Sequence, residues 1–318
     1  MRVVAFGGGH GLGASLRALR ILRSELDLDI TAIVTVGDDG GSSGRIRAER
    51  GGLPPGDLRQ ALAALADPTD PVVQVSVELL QHRFSGSDPL GGHTVGNLML
   101  TGLMELTGDP VTALDHARAM VRAVGRVLPM SRQPFSIEAR VRGEDPEHPD
   151  EVTTVRGQHN VAVTRGVVEQ VRLIPARPVA CEEAVAAIEE ADWLIFGPGS
   201  WFTSVIPHLL VPGLANAIAT SPARRLVTLN LATEPETDGY SLPDHLRALA
   251  RYLPGLRVDV VLADGKAVGD PIGVQSAAES LRARVEFADV AVAGGGPRHD
   301  PVALAYALHA VFSLGGRR

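Results

Sequence analysis

Residues Gly7 to Ser15 read GGGHGLGAS and follow the apolar run Val3 to Phe6. Four apolar residues, clustered glycines, and then Leu16, Leu19 and Leu22 at helical spacing describe a strand, a tight turn and a helix. Such a turn lets backbone approach a ligand closely. It also aims unpaired helix N-terminal N–H groups, and the positive end of the helix dipole, at any anion above it. Two templates can be laid over it. Gly8 to Ser15 has P-loop spacing, but Ala14 stands where the phosphate-binding lysine belongs, so that reading fails. Gly9 to Ala14 fits the dinucleotide pattern in its alanine-ending variant, and Asp38 and Asp39 follow a second apolar run at about the 20 residues expected of a ribose-binding carboxylate. A glycine turn that merely packs a helix on a strand would satisfy the same text.

Composition narrows the partners. The 318 residues are 45% hydrophobic with a net charge of -7, enough for one large α/β domain or two smaller ones. Mild acidity supplies no basic face, so nucleic acid is not an expected partner. Cys181 is the only cysteine, which excludes an internal disulfide and a cysteine-based metal cluster and suits a reducing compartment. Met1-Arg2 runs straight into a strand, and no apolar stretch approaches the roughly 18 residues of a membrane span. The expectation is an unprocessed cytoplasmic protein without membrane insertion. Lys266 is the only lysine, so arginine must carry the cationic work.

Apolar runs ending in glycine or polar turns recur at Val3 to Phe6, Ile30 to Val36, Trp193 to Phe196, Leu226 to Leu231 and Val258 to Leu262. Alternating with helical patterns, they predict an α/β, doubly wound, predominantly parallel sheet. Between the second and third runs lies a helical region: Asp57 caps a helix from Leu58, a second runs from Gly96 to about Leu106, and Asp109-Pro110 starts a third over Val111 to Val124. These helices are read as a cap over the sheet edge. From about 125 to 175 the texture changes: Phe135 to Arg142 alternates with period two, and Val152 to Val155 and Val167 to Ile174 follow a Pro- and acid-rich turn. The whole chain, 1–318, is therefore read as one α/β domain carrying a small antiparallel β insertion, either a lid, a dimerisation element or mere decoration. A homo-oligomer, in the simplest case a dimer, is the expected assembly.

In open α/β sheets ligands sit beyond the carboxyl ends of the strands, where the distinctive loops of this sequence fall. The loop after Val36 carries Asp38, Asp39, Gly40, Gly41, Ser42 and Ser43, offering carboxylates to a ribose or a divalent cation and donors to phosphate, or simply a helix cap. Leu53 to Arg59 adds Asp57 and Arg59. Gly197-Pro198-Gly199-Ser200 is a second glycine turn entering a helix, hence a second anion-site candidate. Asn230 to Gly239 adds Thr233, Glu236, Thr237 and Asp238. Arg298, in Gly294 to Asp300, is a candidate bidentate phosphate ligand or a surface arginine. His93 and Asn97 are site candidates or a buried polar contact. The histidines lack zinc spacing, and no G-x-S-x-G elbow is present.

Taken together these loops resemble the CofD-like superfamily, and within it the YvcK branch of gluconeogenesis factors. The similar text is GGGHGLGASLRALR, DITAIVTVGDDGGSSGRIR, LPPGDLRQALAALA, GGHTVGNLML, GRVLPMS, FGPGSWFTSVIPHLLVPG, ETDGYSLPDHL and PRHD. The resemblance implies a CofD-like fold that binds a nucleotide or nucleotide-sugar, UDP-sugars in this branch, and a cytoplasmic role in carbon metabolism, cell shape and wall synthesis. It implies nucleotide contacts from Gly8, Gly9, His10, Gly11, Leu12, Asp38, Asp39, Gly40, Gly41, Ser42, Ser43, Asn97, Gly197, Gly199, Ser200 and Arg298, with Mg2+ a candidate companion of the nucleotide. His10 stands where the branch usually has threonine, Gly37 where alanine is common, and Trp201-Phe202 where Leu-Tyr is usual. The segment from Val274 to Ser280 lacks the aromatic residue often found there.

Two functions from different classes fit this text. The first is a regulator that holds a UDP-sugar without turnover. The second is a CofD-type transferase that moves a phospholactyl-like group from a nucleotide diphosphate to a deazaflavin acceptor with a divalent metal. The DDGGSSGR phrase and the absence of a paired base and nucleophile favour the first, with no catalytic residue assigned.

Overall fold

In the computed structural model, which describes residues 1–67, 69–294 and 296–314, the expected strand–turn–helix unit opens the chain. The strands, in chain order, are β1 (Arg2–Gly7), β2 (Asp29–Val34), β3 (Arg126–Pro129), β4 (Ser136–Arg142), β5 (Val152–Arg156), β6 (Val167–Ile174), β7 (Trp193–Phe196), β8 (Arg224–Thr228), β9 (Val260–Asp264) and β10 (Arg284–Ala288). Seven of these form one sheet in the order β10-β9-β8-β7-β1-β2-β3, with every neighbouring pair parallel. Val3 to Phe6 and Trp193 to Phe196 are buried throughout, the continuous apolar burial of strands covered by helices on both faces.

Strand order reverses beside β1. The chain first steps outward through β2 and β3, then returns to the other side of β1 at β7 and steps outward again through β8, β9 and β10. Phe6 and Phe196 stack across this seam with ring centroids 4.8 Å apart. The seam brings the carboxyl ends of β1 and β7, each followed by a glycine turn, side by side.

Helix α1 (Gly9–Leu26) packs against α3 (Gly56–Leu65) and the last helix, Pro301–Leu314. Between β2 and β3 run α2 (Gly41–Arg50), α3, α4 (Pro71–Gln81), α5 (Val95–Thr107) and α6 (Pro110–Met120). Asp70 and Asp109 accept the first free N–H groups of α4 and α6, each followed by a first-turn proline, the cap-and-proline start read for α6 from the sequence. Strands β4, β5 and β6 make a separate antiparallel sheet, bridged by the short helix α7 (Gln158–Ala162). Ile137, Val141, Val168 and Leu173 bury its inner face in the same hydrophobic core as the main sheet, and two hydrogen bonds add to that packing: the Val171 N–H donates to the Tyr252 hydroxyl at 2.7 Å, and the Tyr240 hydroxyl donates to the Val168 carbonyl at 2.9 Å.

Three local expectations are corrected, and one strand escaped the sequence reading. Residues 126–129, read as part of the β insertion, pair with β2 as the edge of the main sheet, because strand partnership is a tertiary choice that a four-residue run cannot express. Helix α6 stops at Met120 rather than Val124, since Arg122 takes a left-handed φ of 48°. Asp57 lies inside the first turn of α3 instead of capping it, and the N-cap position falls to Pro55. Edge strand β10, with exposed and half-buried residues, carried no apolar run that would have marked it.

Candidate functional site

The two glycine turns meet at the seam. An ideal Cβ on Gly11 would lie 2.2 Å from the Pro198 carbonyl oxygen and 2.5 Å from Gly199 Cα, so only glycine permits this approach of one backbone to the other. Gly8 is constrained from below, where a Cβ would lie 2.4 Å from Asp57 Oδ2. The Asn230 side chain, at the end of β8, braces the second turn from both sides: its Oδ1 accepts from the Gly199 N–H at 2.9 Å and its Nδ2 donates to the Gly199 carbonyl at 3.0 Å. Beneath the same turn, Glu236 Oε1 accepts from the Phe202 N–H at 2.8 Å. Burial pushes this carboxyl up to about 8, against hydrogen bonds from Thr203 and the Phe202 backbone that oppose the rise.

Above the joined turns opens a cleft of about 720 Å³. Of the residues expected to bind nucleotide, Gly8, Gly9, His10 and Gly11 line it from the first turn, Gly199 and Ser200 from the second, and Arg298 from the opposite wall. Arg17, Asp57, Thr203, Asn230 and Thr233 also line it, as do Gln158 and Ala162 of α7, the helix between β5 and β6. The loop bearing Arg298 is pinned by Asp264. Burial would raise that carboxyl, but N–H groups of Val290, Lys266, Ala267 and Ala291 converge on it and hold it below the ordinary value. Gly295 of the same loop lies outside the described residues.

The other expected residues sit elsewhere. Leu12 is in the hydrophobic core at 1% exposure, because the first turn of α1 rotates it under the sheet. Gly197 is beneath the turn, its carbonyl accepting from the Ser15 hydroxyl at 3.0 Å. The two aspartates after β2 part company. Asp38 accepts from the Gly40 N–H at 3.0 Å and acts electrostatically on Asp57, whereas Asp39 accepts from the His159 N–H at 2.9 Å and so ties this loop to α7. Gly40 supplies the N-cap position of α2 and Gly41 its exposed first residue. Ser43 Oγ accepts from the Gly56 N–H at 3.0 Å, clamping α2 to α3. Ser42 is buried between Asn97, whose Nδ2 donates to Ser42 Oγ at 2.9 Å, and His93, whose Nδ1 lies 2.9 Å from the same oxygen. Burial, with Arg45 nearby, holds the His93 imidazole below its usual value, the neutral state that can accept from Ser42.

Asp57 has the most perturbed chemistry facing the cleft's first turn. Desolvation, and then the Asp38 carboxylate, push its carboxyl from 3.8 up to about 7, while a Gly9 backbone hydrogen bond works the other way. In the sequence Asp57 reads equally as a helix cap and as a site carboxylate; the structure takes it out of the cap position and puts it in the lining of the cleft under Gly8. Arg17 and Asn230 escape sequence reading as site residues, because an arginine within a helix and an asparagine after a strand carry no local signature.

A sheet whose strand order reverses between two touching glycine turns, with a cleft over the reversal, defines a doubly wound α/β protein with a cleft at its switch point, the place where such folds hold ligands. The chain belongs to the CofD family: the model described as 2-phospho-L-lactate transferase CofD matches residues 3–292. It is 49% identical over 313 residues to a Mycobacterium tuberculosis protein named "Putative gluconeogenesis factor", covering 97% of this chain and 90% of that one. It is 36% identical over 282 residues to the "Gluconeogenesis factor" of Bacillus subtilis, covering 88% and 84%. A crystal structure of a UPF0052 family member from Bacillus halodurans superposes with a TM-score of 0.83 at 32% identity, covering 97% of this chain and 98% of that one. No helix among the described residues is long and apolar enough to cross a membrane.

Proposed function

We propose that this protein binds a nucleotide diphosphate joined to a sugar, a UDP-sugar in the first instance, and acts in the cytoplasm as a ligand-responsive regulator of carbon metabolism and wall synthesis rather than by turnover. The observation that carries the reading is the meeting of the two glycine turns under the cleft. The first turn presents the N-terminus of an 18-residue helix, α1, whose N-cap position makes no side-chain cap; Asp57 takes the Gly9 N–H, His10 and Gly11 line the cleft beyond it, and Arg298 lines the same cleft. The second turn is a poorer anion cradle than its glycines suggest, since Asn230 and Glu236 already occupy two of its N–H donors. Its part is to brace the first. The names of the relatives support a role in carbon metabolism. Because α7 lines the cleft and joins β5 to β6, ligand held there can shift this helix and the sheet attached to it to the extent that it binds one arrangement more tightly.

One observation favours the second reading, metal-dependent transfer of a phospholactyl-like group to a deazaflavin acceptor. Asp57 lies directly under Gly8 and feels the Asp38 carboxylate electrostatically, and Mg2+ is held in proteins by one or two carboxylates together with substrate phosphates. The donor set fits that ion, which would neutralise phosphate charge when bound. Asp57 would hold it as the anion, and Asp38 would supply the second carboxylate. A thermal-shift series of nucleotides and UDP-sugars, each with and without Mg2+, followed by chromatography of the recovered ligand, separates the two. Stabilisation with intact UDP-sugar supports the regulator. Metal-dependent consumption of the nucleotide in the presence of a deazaflavin alcohol would replace it with the transferase, and no stabilisation by any nucleotide would sink both.

A further inference from the structure

A second cavity of about 330 Å³ adjoins the cleft, sharing Gly9, His10 and Arg17 with it, and its walls bear three arginines, Arg17, Arg59 and Arg83. Each comes from a different element: Arg17 from α1, Arg59 from α3, and Arg83 from the segment between α4 and α5. Among the described residues none of the three forms an ion pair, whereas eleven other arginines do.

Their existing contacts leave donors free. Arg59 is only 6% exposed; its Nη1 donates to Thr94 Oγ1 at 2.5 Å, while its buried Nε has no partner. Arg83 donates from Nη1 to the Gly92 carbonyl at 2.5 Å, a contact that orients the guanidinium without neutralising it. The Arg17 guanidinium lies over Gly13, where a Cβ would stand 3.3 Å from Nη1. Burial lowers the Arg59 guanidinium below its usual value, and the Arg83 charge adds to this; burial does the same to Arg17. The carboxylates of Asp57 and Asp38 act on Arg59 only through space. Three like charges gathered around a cavity, one of them buried with an unmade hydrogen bond, repel one another unless an anion sits among them. The amino end of α1, at Gly9 and His10, points the same sign of potential into the same space.

We propose that this cavity is an anion subsite, which takes a phosphate or carboxylate group lying beyond the diphosphate on the sugar side of the ligand or arriving as a separate small anion. Where the group is part of the ligand, the inference rests on the nucleotide-sugar reading of the main cleft, and it narrows the preferred sugars to acidic ones. Arg59 and Arg17 receive the anion from the protein side, and Arg83, exposed at the rim, closes over it.

Calorimetry on the full chain at constant ionic strength tests this with three probes: UDP-glucose, UDP-glucuronic acid and inorganic phosphate. Arg83→Gln and Arg17→Gln serve as variants, since neither removes a fully buried side chain. An attached anion predicts that UDP-glucuronic acid binds roughly tenfold to a hundredfold tighter than UDP-glucose. Both variants should erase that preference. A separate anion predicts equal affinity for the two UDP-sugars, with phosphate binding alone and weakened in both variants. Phosphate binding that depends on Arg83 and Arg17, with no UDP-sugar bound at all, would uphold the subsite while overturning the nucleotide-sugar reading. UDP-sugars bound without preference for the acidic one, together with phosphate binding that is absent or indifferent to both arginines, overturns the subsite and leaves the nucleotide-sugar reading intact.

Discussion

Replacing Asp57 by asparagine should make the protein more stable in mild alkali and only slightly more so in mild acid. The wild-type carboxyl is 8% exposed and titrates near 7 in the folded chain against an ordinary 3.8. A carboxyl whose folded value is raised favours the folded state while protonated. The penalty is therefore absent below 3.8, grows as pH rises through the interval, and is complete above about 7. At about 1.36 kcal/mol per unit, the two units from pH 5 to pH 7 cost the wild type roughly 3 kcal/mol, and the full interval about 4 kcal/mol. The side-chain amide of the Asp57→Asn variant has no charge to desolvate and none for Asp38 to repel. Denaturant unfolding of both proteins from pH 5 to pH 9, plotted as the difference between them, removes the contribution of other groups such as Glu236 that titrate in the same window. The difference should widen by some 2–3 kcal/mol between pH 5 and pH 7 and then level. A flat difference across that range would mean that Asp57 ionises like a solvated aspartate, and Asp57 and Asp38 would lose their standing as a cation site. Mg2+ added with nucleotide at pH 8 should stabilise the wild type more than Asp57→Asn, because a bound cation offsets the same buried charge.

Two further outcomes follow from the cleft. Gly11→Ala forces a methyl group into the Pro198 carbonyl and Gly199 Cα, backbone that cannot swing aside; overpacking of this kind costs about 2 kcal/mol, or a fall of about 3 °C in Tm for a chain of this length, and calorimetric nucleotide affinity should fall with it, so unchanged values in both would show that the turns do not meet. Arg298→Ala removes an exposed side chain and should leave Tm within about 1 °C, yet weaken nucleotide binding by roughly tenfold to a hundredfold if it holds a phosphate; equal affinity for the two proteins would remove Arg298 from the site.

Local chemistry made the main sheet legible. Val3 to Phe6, Trp193 to Phe196 and Val260 to Leu262 are buried on both faces, so they had to be continuously apolar, and that is readable in one dimension. The glycines of the first turn were legible for a similar reason: α1 must start where the chain turns, and backbone must pass close to Pro198 and Asp57. The antiparallel β4 announced itself by its period of two. Strand β3 did not, because its membership in the main sheet depends on lying beside β2, about ninety residues away in the chain. The assignment of carboxylates went the same way. Asp38 and Asp39 are adjacent in sequence and look like one feature, but consecutive side chains diverge, and the fold sends one toward Asp57 and the other to the His159 N–H. Asn230, Arg17 and Arg83 carried no signal at all, and Arg59 was legible only as a guanidinium beside Asp57, not as one of three around a cavity. Each is an ordinary residue on its own element, and its chemistry exists only because strand order reverses beside β1 and lets helices from distant parts of the chain close around one glycine turn. Sequence thus determined which segments must be buried and where the backbone must bend, since burial and backbone freedom are properties of single residues. Which charges share a cavity depends on distances between residues far apart in the chain, and only the packed tertiary structure decides those.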